Sequence, residues 1–180
     1  MKKLLTLALL AVPLPLPAMA GNWDVAPTST VTFEATESGT PFTGRFPAFT
    51  ADITFDPADL AHAKAIVDIT VKGVDTGSEE RDEELAEPAW FNVSQYPTAR
   101  FETTAFRHLE GNAYEADGTL TIRDITQPVT LPFTLDINGD QAVMKGEVKL
   151  DRTRFNLGYA DDKTPGKYAK VIVALTATRK

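Results

Sequence analysis

The segment Thr76–Phe101 reads TGSEERDEELAEPAWFNVSQYPTARF and guides the interpretation of the rest of the chain. An acidic residue follows Thr76 at the third position, which is the capping-box spacing at a helix start. More carboxylates fill the first turns, where the helix dipole favours negative charge. Pro88 stops the helix, and a Trp-Phe pair follows at once. The segment therefore predicts a short helix over Thr76–Ala86 that ends in two large aromatic side chains and covers a sheet as a lid.

Most of the remaining chain shows strand patterns, in which β-branched and aromatic runs are bounded by Gly, Pro, Asn and Asp. Several runs place apolar residues on one face and polar residues on the other, as an antiparallel sheet requires. Gly44 and Pro47 predict a bend within one long strand. Asn138-Gly139 predicts a hairpin turn, and residues 56–60 predict a short helical turn. The eight predicted strands are Ser29–Thr36, Phe42–Phe55, Ala63–Val74, Thr98–His108, Ala113–Arg123, Gln127–Asn138, Gln141–Arg154 and Tyr168–Arg179.

Eight antiparallel strands must protect their edges from pairing with other chains. Closure into a barrel removes the edges, and eight strands leave an interior that is filled or holds one small ligand. A two-sheet sandwich would satisfy the same alternation, so the pattern alone leaves both architectures open.

The first twenty residues have the features of a secretory signal peptide. Lys2 and Lys3 precede an apolar stretch, and Ala18-Met19-Ala20 provides a small-residue cleavage site. The apolar stretch is too short to span a bilayer and contains prolines. We therefore expect cleavage after Ala20, a soluble periplasmic protein, and one mature domain over residues 21–180.

Charge and residue usage exclude several classes of function. Without the two lysines of the signal, 16 basic and 25 acidic residues remain, which argues against binding to nucleic acid or to anionic headgroups. The chain has two histidines and no cysteine, and it has no G-x-S-x-G elbow or phosphate-binding loop. The acidic clusters are typical of a solvated face, although a metal site made of carboxylates alone is an alternative. We predict no enzyme activity, no metal and no cofactor.

Two motifs resemble one protein family. The run T-G-x-x-x-R-D-x-x-L-x-x-x-x-W-F-x-V-x-x-Y-P-x-A-x-F and the segment Gly118–Leu131, GTLTIRDITQPVTL, are similar to the YceI-like family of bacterial periplasmic lipid-binding proteins. Trp23–Val25 and Phe42–Phe55 fit the same family pattern in the same order. The resemblance implies a lipocalin-like barrel with a long apolar channel, so it favours the barrel over the sandwich. The loops at Glu37–Pro41 and near the C-terminus depart from the pattern, which leaves the head-group preference open.

The resemblance also implies a ligand class, namely an isoprenoid lipid such as a quinone or a polyprenyl phosphate held by its tail. The alternatives are a fatty acid or amide, a soluble partner of a membrane b-type cytochrome that exchanges quinone, and a filled barrel that acts as an interaction module. The sequence leaves the oligomeric state open, a homodimer included.

Alternation predicts which side chains line the channel. Arg81-Asp82 is interpreted as a structural ion pair that pins the helix to the barrel, with Arg123 or Arg152 nearby; a polar contact for a ligand head group is the alternative. Trp90 and Phe91 are predicted to lie at the lid. The predicted channel lining is Phe33, Phe46, Phe49, Phe55, Ile69, Leu120, Ile122, Leu131, Phe133 and Met144.

Overall fold

A computed structural model describes residues 21–159 and 165–180 of the chain. The predicted signal peptide lies outside the described residues. The strands are β1 Gly21–Val25, β2 Thr30–Glu37, β3 Thr40–Arg45, β4 Ala48–Phe55, β5 Lys64–Thr70, β6 Thr98–His108, β7 Ala113–Ile122, β8 Ile125–Asn138, β9 Gln141–Asp151 and β10 Tyr168–Arg179. The helix α1 spans Glu79–Ala86, and short 3₁₀ helices span Leu60–His62 and Arg152–Phe155.

The ten strands form one closed antiparallel barrel with eight positions. β1 and β2 together occupy one position of the barrel, and β3 and β4 together occupy the next. The pairing shows this, because Trp23 of β1 pairs with Ile53 of β4, and Phe33 of β2 pairs with Gly44 of β3. β10 pairs with β9 along one edge and with both β2 and β1 along the other, which closes the ring. The predicted eight-stranded barrel is therefore confirmed. Among the described residues, β3 pairs with β2 on one side, and its other side carries the isolated bridge between Arg45 and Asp75.

The structure corrects several strand boundaries. The long predicted strand Phe42–Phe55 is interrupted between Arg45 and Ala48, because Pro47 has no N–H to donate and the Phe46 N–H bonds the Val31 carbonyl instead. The predicted bend is thus present. The sequence analysis missed β1, since a five-residue strand gives little periodic signal.

The strands predicted over Ala63–Val74 and Gln141–Arg154 both end earlier than expected. β5 ends at Thr70, after which the chain turns towards α1. β9 ends at Asp151, whose carboxylate accepts a hydrogen bond from the Thr153 N–H and so caps the following 3₁₀ helix. A local capping interaction therefore stops a strand that the alternation alone would have extended.

The helix begins two residues later than the capping-box pattern predicts. Ser78 is the N-cap, and its hydroxyl accepts from the Arg81 N–H at 3.5 Å. The Thr76 hydroxyl is buried and donates to the Asp82 carboxylate at 2.6 Å, so it is not available as the cap. The helix ends at Ala86 as expected, because the residue before Pro88 adopts an extended conformation.

The interior contains two apolar clusters at opposite ends of the barrel, with Phe101 in contact with both. The first, here called the lid cluster, lies under α1 and the loops around it. The second, the base cluster, lies among the hairpins at the other end. The lid cluster is Phe33, Val71, Val74, Leu85, Trp90, Phe91, Ala99, Leu120, Ile122, Phe155 and Leu157, and the base cluster is Trp23, Phe55, Tyr114, Ala116, Leu131, Phe133, Ala142 and Ala177.

Candidate ligand-binding cavity

A cavity of about 280 Å³ lies inside the barrel between the two clusters. It is close to the lower end of the range, roughly 300–1,000 Å³, in which proteins hold small organic ligands. Its walls are the inward faces of the strands, where every second residue is apolar. In β7, for example, burial alternates strictly along the ten residues, which places Leu120 and Ile122 inside.

All twelve residues of the predicted channel and lid border this cavity. Alternation was the guide to the ten strand residues, because closure of the barrel buries one face of every strand, and the helix stop was the guide to Trp90 and Phe91. That these residues bind a ligand stays a prediction. They are Phe33, Phe46, Phe49, Phe55, Ile69, Trp90, Phe91, Leu120, Ile122, Leu131, Phe133 and Met144.

The sequence analysis missed other large cavity residues, of which Phe101 and Phe106 are the most informative. Five positions separate them, so regular alternation would place them on opposite faces. A register shift between Thr103 and Ala105 adds a residue to β6, and both rings therefore face inward. The Thr103 hydroxyl accepts from the Ala65 N–H at 2.8 Å and donates to the Ala65 carbonyl at 3.2 Å. These two bonds continue the hydrogen bonding between β5 and β6 at the bulge. In β10, alternation places Val171, Val173 and Leu175 inside the barrel. This pattern could have identified them as cavity residues from the sequence.

The lid consists of α1 and the aromatic pair that follows it. Trp90 is buried, and its indole N–H donates to the Glu84 carboxylate at 3.2 Å. The ring of Trp90 lies on Gly158, where a Cβ would be only 2.5 Å from it. The Gly158 N–H donates to the Ala89 carbonyl at 2.6 Å, which fixes the chain beside the tryptophan. Phe91 packs edge-on against Phe46, with 6.2 Å between the ring centroids.

Arg81 fastens α1 to the barrel, although through a different partner from the one expected. Its Nη1 lies 2.6 Å from the Glu37 carboxylate at the end of β2, and its guanidinium lies 4.0 Å from the centroid of the Phe42 ring. Its Nε donates to the hydroxyl of Thr76. The predicted Arg81–Asp82 ion pair is wrong, because the Asp82 carboxylate accepts from the Thr76 N–H and hydroxyl instead. The predicted role of Arg81 in pinning the helix is retained.

Arg152 is the second cation at the lid end, and it is buried. Its guanidinium donates to the carbonyls of Leu157 at 2.6 Å and Tyr159 at 2.9 Å, and it lies 5.5 Å from the Trp90 ring centroid. Asp151 caps the 3₁₀ helix that begins at Arg152. The Thr153 hydroxyl donates to the Asp151 carboxylate, and this hydrogen bond holds the pKa of Asp151 below its usual range.

The polar groups that border the cavity are concentrated near the lid. Four charged residues in the described part of the chain border it, namely Glu37, Arg81, Glu84 and Arg152, and all four belong to the lid or to the strand ends beside it. At the base end, the cavity meets aromatic and aliphatic side chains such as Trp23 and Phe55. The charge distribution indicates that the mouth of the cavity is at the lid end.

No group of three or more His, Cys, Asp or Glu side chains within residues 21–159 and 165–180 has the geometry to hold a metal ion. His62 is exposed and contacts Asp59, and His108 is exposed and contacts the Gly111 carbonyl. Across the same described ranges, helices are too short or too polar to cross a membrane.

Several curated protein sequences and several solved structures are similar to this protein. A UPF0312 protein of Pseudomonas aeruginosa is 38% identical over 97 residues, which is 54% of this chain and 50% of that protein. Protein YceI of Salmonella newport is 33% identical over 120 residues, which is 63% of this chain and 62% of that one. The chain thus spans between about half and 62% of the length of these curated relatives.

Among solved structures, Burkholderia cenocepacia BcnA superposes with a TM-score of 0.82 at 31% identity, covering 86% of this chain and 100% of that one. A polyisoprenoid binding domain from Saccharophagus degradans superposes with a TM-score of 0.70 over 91% of this chain and 100% of that one. Its 12% identity shows a shared fold alone. The model of the YceI-like domain matches residues 23–177, and the chain therefore belongs to the YceI-like family.

Proposed function

We propose that this protein is a periplasmic carrier that holds an isoprenoid lipid by its tail in the barrel cavity, with the head group at the lid end. The observation that carries the proposal is the cavity itself, whose walls are apolar and whose charged neighbours, among the residues that the structure describes, lie near the lid. Such a distribution suits an amphiphile whose chain enters first. The Saccharophagus degradans domain of the same fold is described as polyisoprenoid binding, which supports the same ligand class.

The energetics of burial are sufficient for this role. Each buried methylene contributes about 0.8 kcal/mol, so a chain segment of about ten carbons would contribute about 8 kcal/mol before the entropy cost of confinement. Without that cost, a free energy of this size would correspond to a dissociation constant near micromolar. No charged contact to the tail is needed, which agrees with the apolar walls.

The arrangement favours binding over catalysis. The polar side chains that border the cavity are engaged with the protein: Glu37 binds Arg81, Glu84 binds Trp90, and Thr103 binds the backbone of Ala65. A fatty acid or amide is the second candidate cargo, because its chain would fit the same walls. If the cargo is a quinone, a membrane-bound quinone enzyme such as a b-type cytochrome is the class of partner with which it would be exchanged.

Native mass spectrometry of protein purified from the periplasm without detergent tests the proposal. We expect a bound lipid whose mass identifies the chain and the head group, on a polypeptide that begins at Gly21. Protein that retains no lipid and takes up none from vesicles would contradict the carrier role. A polypeptide that begins at Met1 would contradict export.

Titration with a fluorescent isoprenoid analogue tests the cavity as the binding site. Ile122→Asn and Phe133→Asn introduce buried amides without partners, and each should weaken binding by about 1–3 kcal/mol. Both parent side chains are buried and border the cavity. Glu83→Gln is the control, since Glu83 is exposed on α1 and its loss should leave affinity unchanged. Folded variants with parent affinity would exclude this cavity as the site.

A further inference from the structure

Within the described residues, the lid end contains a gap that side chains bridge and the backbone does not. The chain before α1 is tied to β3 by two backbone hydrogen bonds between Asp75 and Arg45. The chain after α1 is tied by the bond from the Gly158 N–H to the Ala89 carbonyl. Between α1 and the hairpin formed by β2 and β3, by contrast, no backbone hydrogen bond is present within the described residues.

Arg81 crosses this gap. Its guanidinium binds the Glu37 carboxylate on the hairpin and lies over the ring of Phe42 on the same hairpin. Glu37 and Arg81 both border the cavity, yet their side chains are 41% and 19% exposed, so the pair reaches from the cavity to solvent. The adjoining hairpin tip has two residues with positive φ, Ser38 and Gly39, and lies at the surface.

The other side of the lid is fastened in a different way. Arg123 occupies a two-residue hairpin turn with φ of 56°, a conformation that glycine adopts more easily. Its guanidinium donates to the carbonyls of Pro88 at 2.9 Å, Phe155 at 3.1 Å and Asn156 at 2.8 Å. Three hydrogen bonds to neutral carbonyls join the end of the lid to the turn beneath it. Among the described residues, Arg123 has no carboxylate partner, so this fastening consists of hydrogen bonds to backbone carbonyls.

We propose that the Arg81–Glu37 ion pair is a latch across the mouth, and that lipid enters and leaves between α1 and the β2–β3 hairpin when the pair separates. The proposal rests on the proposed lipid-binding function. The Arg123 side stays closed during this opening. Because a partly exposed ion pair exchanges its partner for water at little cost, the latch can open without unfolding the barrel.

The test measures the rate at which the fluorescent isoprenoid analogue leaves the protein, with excess phosphatidylcholine vesicles as the acceptor. Arg81→Glu and Glu37→Arg should each speed release by about three- to tenfold, because each places like charges across the gap. The double variant Arg81→Glu/Glu37→Arg restores opposite charges and should return the rate towards that of the parent. Arg81→Gln serves as the milder single change if Arg81→Glu fails to fold.

A matched control is available on the outer wall of the barrel. Arg100 and Asp68 form an exposed two-point ion pair at 2.7 Å between β5 and β6, away from the mouth. Charge reversal at either residue should leave the release rate at the parent value. Raising the salt concentration should speed release from the parent, since screening weakens the latch, and should have little effect on Arg81→Gln.

The outcomes separate the two proposals. A parent protein that binds no analogue would contradict the proposed function. If the parent binds but the latch variants release at the parent rate, or the double variant fails to recover, the latch is wrong and the function stands. Faster release from Arg123→Lys than from the Arg81 variants would place the opening on the opposite side and would also overturn the latch.

Discussion

The two ends of the barrel close in different ways although both line the same cavity. At the base, Tyr114 stacks on Phe133 with 5.5 Å between centroids, and Phe55 packs edge-on against Tyr114 and Phe106 at 5.7 and 5.2 Å. The indole N–H of Trp23 is satisfied by the Phe55 carbonyl at 2.9 Å. The base is therefore closed by ring packing.

At the lid, aromatic rings alternate with charged groups. Phe33 packs on Phe46 at 5.5 Å, but Arg81, Glu84 and Arg152 lie among the rings and border the cavity. Arg81 and Glu84 are partly exposed and can exchange a protein partner for water, whereas a ring in the base cannot do so without losing its burial. We therefore expect the base to contribute stability, and we propose the lid as the route of access.

The largest expected effect comes from removing a ring at the base. Phe133→Ala should lower the free energy of unfolding by about 3–5 kcal/mol, because it removes the packing with Tyr114 and Phe106 and leaves a void. Phe46→Ala at the lid should cost less, since Phe46 is only half-buried. Urea denaturation followed by circular dichroism measures both. Val143→Ala on the outer face is the control, and equal losses at base and lid would remove the distinction between them.

A pair of glycine substitutions sharpens the description of the lid. Gly158 and Gly39 have similar backbone angles, with φ of 74° and 79°, so an alanine at either position should cost about 1–2 kcal/mol in backbone strain. At Gly158, the added Cβ would also meet the Trp90 ring, whereas nothing lies within 4 Å at Gly39. We expect Gly158→Ala to cost about 1–3 kcal/mol more than Gly39→Ala and to alter tryptophan fluorescence. Equal costs for the two variants would show that Trp90 does not rest on this glycine.

The smallest expected effect concerns the capped turn beside Arg152. Asp151→Ala removes the carboxylate that accepts from the Thr153 N–H and hydroxyl, and should cost about 1 kcal/mol at neutral pH. Since the pKa of Asp151 is lowered in the folded protein, its contribution is present above the ordinary aspartate pKa of about 3.9 and is lost as pH falls through the lowered value.

Thermal unfolding of the Asp151→Ala variant and the parent between neutral pH and roughly pH 3 checks this expectation. The two proteins should differ at neutral pH and converge in acid below about pH 4. Glu110→Gln, a change in an exposed turn, is the control. A constant difference across the whole pH range would show that the Asp151 charge does not hold the turn.

Local patterns predicted much of this structure. Alternation predicted the ten channel residues, because a closed barrel has only one interior side and the side-chain period of a strand is two, and the helix stop predicted the positions of Trp90 and Phe91. Pro88 predicted the helix end, and Asn138-Gly139 predicted the β8–β9 hairpin. The bulge in β6 escaped prediction, since its register shift is set by pairing with β7.

The sequence by itself determined eight strand segments, the inward face of most of them, and a short helix followed by two aromatics, since each depends on neighbours along the chain. Only the tertiary structure decided that Arg81 binds Glu37, 44 positions away. It also decided that Thr76 binds Asp82 while Ser78 caps the helix. The same holds for Arg123, which joins two separate loops. The physical reason is that a polar side chain can satisfy its hydrogen bonds with many partners of equal chemistry. Barrel closure and register select the partner by bringing one of them within about 3 Å.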